Sequence, residues 1–130
     1  RQMSEEVARG SFEITMTPGE GVLDGTGRFD FVKAWSGDLT AEGAGAMFSA
    51  GDPAAGAAGY VAIETVRGTL AGRQGGFALL QRGLMLADGI SLEYVVAPGS
   101  GTGELVGITG TLDLDTSNGH SWELTFQLPD

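Results

Sequence analysis

Ser11-Phe12-Glu13-Ile14-Thr15-Met16-Thr17 alternates apolar and polar side chains without a break. Phe12, Ile14 and Met16 fall on one side, Glu13 and Thr15 on the other. That period-two alternation is the signature of a strand buried on one face. Pro18-Gly19-Glu20-Gly21 ends it. The same pattern recurs along the chain. Residues 27–35 carry Phe29, Phe31, Lys33 and Trp35 in phase, and Ser36-Gly37-Asp38 turns them into a Gly- and Ala-rich strand at 39–49. Strands at 60–70, 76–86, 90–97, 108–116 and 120–128 follow. They are joined by the loop at 51–56 and by Ala71-Gly72-Arg73, Ala87-Asp88-Gly89, the glycine-rich 98–103 and Asn118-Gly119. The last is the strongest hairpin signal present. A helical turn fits at Glu104-Leu105-Val106, and no longer amphipathic helix competes.

Eight strands of similar length with short turns predict an all-β chain, a single eight-stranded antiparallel β-barrel with a central cavity. Closure removes the exposed edges that a flat sheet would leave. A two-sheet sandwich is the alternative. The 23 glycines among 130 residues favour the barrel, whose strands must bend. Residues 1–130 read as one domain, with 1–7 a disordered N-terminal extension.

Composition excludes several functions. The net charge is −10 with only seven Lys and Arg, so no nucleic-acid partner and no membrane surface is expected. Without cysteine there are no disulfides or thiolate metal sites, and with His120 alone there is no multi-histidine site. Neither a metal nor a cofactor is expected. No apolar run approaches the length of a membrane helix and no signal peptide stands at 1–10, so a cytoplasmic location is expected. Gly101-x-Gly103 lacks the following helix that a phosphate loop needs, and reads instead as a turn capping one barrel end. Asp113, Asp115 and Glu123 are out of phase with Leu112 and Leu114 and read as solvent-facing.

The candidate site comes from the apolar phase. If Phe12, Phe29, Phe31, Phe77, Leu79, Leu92, Trp122, Leu124 and Phe126 point inward, alternation turns Lys33, Glu64, Gln81, Tyr94 and His120 inward too. A few polar groups converging in an aromatic-lined interior have the composition of a small-molecule site. Glu64 and Gln81 are the candidate catalytic residues. Lys33, Trp35, Tyr94, Trp122, Phe29, Phe31 and Phe77 are the candidate substrate-binding residues. A carboxylate taken out of water at Glu64 must be protonated, hydrogen-bonded or paired with Lys33.

Four segments carry a family resemblance: Ser36-Gly37-Asp38-Leu39, Gly59-Tyr60-Val61-Ala62-Ile63-Glu64, Val66-Arg67-Gly68-Thr69-Leu70-Ala71-Gly72-Arg73, and the run from Ser100-Gly101-Thr102-Gly103 through Gly110-Thr111. From about Ala8 to Leu128 the chain resembles an uncharacterised bacterial family grouped with the allene oxide cyclase-like barrels, whose relatives include plant dirigent proteins. The resemblance implies an eight-stranded barrel with a central cavity, in a group that guides ring closure or coupling of hydrophobic small molecules. It carries no catalytic set onto this chain. Ala46 replaces an acidic residue, and Arg82 a histidine, that are common in nearer relatives.

The expected function is therefore binding of a hydrophobic small molecule in the cavity, with cofactor-free cyclisation or isomerisation as the associated chemistry. A lipocalin-like carrier without turnover is the alternative, as is a structural oligomeric module. Val61, Ile63, Leu80, Leu84 and Leu86 lie on the second apolar face of their strands and predict a homodimer or homotrimer.

Overall fold

The computed structural model describes residues 3–115, 117 and 120–129. Its strands are β1 (Met3–Gly19), β2 (Thr26–Gly37), β3 (Leu39–Asp52), β4 (Ala57–Leu70), β5 (Arg73–Leu86), β6 (Gly89–Val96), β7 (Thr102–Gly103), β8 (Thr109–Asp115) and β9 (Ser121–Pro129). A single 3-10 turn at Pro53–Ala55 sits between β3 and β4, with Asp52 capping it by accepting from the Ala54 amide. The sheet order is β4-β3-β2-β1-β9-β8-β6-β5, and β4 also pairs with β5, so eight strands close into an antiparallel barrel. The two-residue β7 is an appendage on β5.

Glycines let the barrel wall pack where a side chain would collide, at Gly43, Gly45 and Gly68. A Cβ at Gly68 would stand 2.2 Å from the Thr40 carbonyl oxygen, and one at Gly45 would stand 2.3 Å from that of Ile63. These positions in the wall therefore admit no larger residue.

The two ends of the barrel differ. At one end the short turns after β2 and β4 meet the segment 97–108, which folds across the opening. Leu105 and Ile108 from that segment are fully buried and belong to the same core cluster as Leu39 and Leu70. Hydrogen bonds hold it there: the Glu104 amide donates to the Gln74 carbonyl at 2.8 Å, and the Ser100 side-chain hydroxyl accepts from the Ala78 amide at 2.9 Å. The glycine-rich stretch is thus a plug, as a capping turn requires. The expected helical turn is a hydrogen-bonded turn, with the Ile108 amide donating to the Leu105 carbonyl. The opposite end carries the connections 20–25, 53–56, 87–88 and that between Asp115 and Ser121, and their described residues are exposed apart from a half-buried Gly56.

Several boundaries differ from the sequence reading: β3 runs on to Asp52 and β4 starts at Ala57, so the loop expected at 51–56 is shorter. Residues 3–7 are not an extension: β1 starts at Met3 and pairs with β9 from Met3↔Pro129 onward. Glu5 and Glu6 hide the strand from a hydrophobicity reading, since its pairing is set by backbone bonds to β9. β5 likewise begins at Arg73, ahead of 76, because two glycines at 75 and 76 conceal a strand that β4 and β7 hold from both sides. The expected hairpin between β8 and β9 forms, with Asp115 opposite Ser121. Its Asn118-Gly119 turn lies outside the described residues.

Candidate active site

Antiparallel pairing places opposed residues on the same face, so inward side chains form rows around the barrel. One row holds Ile14, Lys33, Gly43, Val66 and Phe77. The next holds Phe31, Gly45, Glu64 and Leu79, and the one beyond it Phe29, Met47, Ala62, Gln81 and Tyr94. Lys33, Glu64 and Gln81 therefore occupy three successive rows on β2, β4 and β5, near the middle of the barrel.

They converge on the Glu64 carboxylate, which is completely buried. Its Oε1 accepts from Lys33 Nζ at 2.8 Å and from Gln81 Nε2 at 2.8 Å. Its Oε2 accepts from Trp35 Nε1 at 2.9 Å. Lys33 and Gln81 are themselves buried. β3 runs between β2 and β4, and the reach across it exists because residue 43 is glycine. A Cβ there would stand 2.1 Å from Glu64 Oε2 and 2.9 Å from Trp35 Nε1. Gly43 is thus a functional position that the sequence reading did not single out. Its only signal was a glycine at an inward phase.

The cation is wrapped in rings. Lys33 Nζ lies 4.5 Å from the centroid of Phe12, 5.0 Å from Trp35, 5.3 Å from Phe31 and 5.6 Å from Tyr94. Those π faces replace part of the hydration the ammonium has lost. Burial still pushes the Lys33 pKa down, against the opposing pull of Glu64. Towards the open end the Tyr94 hydroxyl meets that of Tyr60 at 3.2 Å. Burial pushes the Tyr94 phenol up, and the Tyr60 hydrogen bond and the Glu64 charge push the same way.

The structure therefore brings Glu64, Gln81, Lys33, Trp35, Phe31 and Tyr94 together. Phe29 lies in the Gln81 row, half-buried towards the open end. Trp122 stands edge-on to Trp35, ring centroids 5.4 Å apart, with its own Nε1 buried and unpartnered. Phe77 is buried in the Lys33 row and belongs to the hydrophobic core cluster. His120 departs from its expected inward place. It precedes β9 and is exposed, and its ring stacks on Phe12 at 4.7 Å as a cover. Tyr60 was not foreseen as a partner of Tyr94; its phase on the Glu64 strand was the available signal. Ala46 and Arg82 both face outward, and Arg82 pairs with Glu93 at the surface, so neither departure touches the cluster.

At the level of the cluster the expected cavity is occupied by side chains. An eight-stranded barrel is just wide enough to be filled in this way, and here four aromatic rings crowd around one ammonium. A depression of about 830 Å³ lies instead over the outer face of β1–β5. Among the described residues no three His, Cys, Asp or Glu cluster as metal ligands.

Comparison with known proteins places this architecture. The family model described as "Protein of unknown function (DUF3224)" matches residues 8–128. The crystal structure of a DUF3224 protein of unknown function from Shewanella oneidensis MR-1 superposes with a TM-score of 0.84 at 36% identity, covering 99% of this chain and 98% of that one. No curated protein matches the chain. With the match running through every strand of the closed barrel and through all the residues around Glu64, the chain belongs to the DUF3224 family.

Proposed function

We propose that this barrel binds a hydrophobic small molecule through its unplugged end, with the Glu64 cluster and the Tyr60–Tyr94 pair as the polar floor that the ligand meets. One observation carries the reading. Phe29, Met47, Tyr60, Met85 and Leu92 face inward at that end yet remain only half-buried, directly above a fully buried charged cluster. A barrel built solely for stability gains nothing from either feature, since a buried ion pair is a poor source of stability. The two methionines supply the give that ligand entry needs, because an unbranched thioether side chain repacks at low cost.

Binding is favoured over turnover. Glu64 already accepts three hydrogen bonds, which hold its carboxylate in one orientation. The resemblance to allene oxide cyclase-like barrels supports a cyclisation or isomerisation guided by shape, in which the interior folds a flexible substrate and Glu64 with Gln81 stabilises developing charge. That chemistry is the finer part of the proposal.

Titration with Nile red, a neutral apolar fluorophore, tests the binding reading. Saturable enhancement is expected, weakened roughly tenfold or more by Met47→Lys, which places a charge in the opening. Ile63→Lys, on the outer wall, should leave it unchanged. Equal loss in both variants, or enhancement untouched by Met47→Lys, would contradict the proposal.

A further inference from the structure

The outward rows of β2–β6 make a surface of two halves. Towards the plugged end, the rows through Val32–Ala44–Thr65–Ala78 and Ala34–Glu42–Arg67–Gly76, half of them alanine or glycine, line the 830 Å³ trough. Immediately beside them the row Ala46–Ile63–Leu80–Val95, backed by Val61, stands up as an apolar ridge. Ile63 and Val61 are 59% and 56% exposed, Val95 and Leu80 42% and 38%.

We infer that this face is a self-complementary interface, at which two copies of the chain pair with the ridge of each lying in the trough of the other. Ridge and trough run side by side across the same strands. A twofold axis along their boundary carries one onto the other, which is the condition for an isologous dimer. Shape is matched by charge. The chain carries −10 overall, which opposes self-association. On these outward rows of β2–β6, however, Asp30, Glu42 and Glu93 are balanced by Arg28, Arg67 and Arg82, and Glu13 of β1, which also lines the trough, adds one negative charge. The opposite wall carries Glu5, Asp113, Asp115 and Glu123 outward, with Arg9 paired to Glu123. The face is thus a place where two such acidic molecules meet with little net repulsion. Its exposed valine, isoleucine and leucine lose water only by doing so.

Sedimentation equilibrium at micromolar concentration gives the test. The native chain should behave as a dimer of twice 13.3 kDa. Ile63→Lys removes the ridge and Ala44→Arg fills the trough. Both residues point outward, so both variants should keep the native circular dichroism while the dissociation constant rises roughly tenfold or more. A native mass of 13.3 kDa, a trimer, or a dimer that survives either substitution would overturn the inference.

Discussion

Glu64 and Lys33 are a charge pair sealed in the interior, with side chains 0% and 3% exposed. Removing one partner of such a pair strands the other charge and costs about 3–5 kcal/mol. Glu64→Gln should therefore lower the melting temperature by roughly 10–20 °C for a chain of this size. The double variant Lys33→Met with Glu64→Gln should recover much of that loss, because it strands no charge. A double variant no better than Glu64→Gln alone would show that the pair is not the cause. Tyr94 gives a prediction in pH. Its folded pKa is raised, so its contribution to stability is complete below about pH 10, the unfolded value, and is lost as pH climbs above it. Absorbance of the phenolate should show Tyr94 ionising together with loss of the native circular dichroism, not before it. At this scale the sequence was readable where a polar residue shared the phase of its apolar neighbours, as Glu64, Lys33 and Gln81 do. It was silent where the message was a missing side chain. Nothing in the run Glu42-Gly43-Ala44 says that a Trp35 indole and a Glu64 carboxylate must meet over that glycine.

Among the elements, the plug is the one whose role can be isolated. Leu105 enters the barrel end from outside the wall and is fully buried. Leu105→Ala should cost about 2–5 kcal/mol, since the backbone that holds the segment on β5 prevents it from collapsing into the gap. Urea denaturation measures this. A cost under about 1 kcal/mol would mean that the segment merely lies across the end. Strands were legible wherever one face was apolar and the other polar, as at residues 11–17. They were not legible at residues 3–7 and 73–76. There, acidic residues or glycines stand in positions held by pairing on both sides, and pairing partners distant in sequence leave no local trace. The two residues of β7 belong to the same class.

At the scale of the whole molecule, the number of strands and the closure of the barrel could be read from turn spacing and glycine content. The filling of the interior could not. Whether eight strands enclose a void depends on how Phe12, Phe31, Trp35, Tyr94 and Trp122 share one space, and alternation assigns each of them inward without saying that they meet. The two ends also look alike in sequence, although one is sealed by Leu105 and Ile108 and the other is left with half-buried methionines and aromatics. The proposed binding of an apolar molecule rests on that asymmetry. It can be measured directly, because Trp35 and Trp122 are the only tryptophans and both lie buried. A brominated apolar alcohol that enters through the unplugged end should quench their fluorescence saturably, while acrylamide, which stays in water, should not. Saturable quenching by the bromo-alcohol alone is the predicted result. Tryptophan emission indifferent to both quenchers, at alcohol concentrations where Nile red is displaced, would contradict it and place the apolar binding on the outer wall.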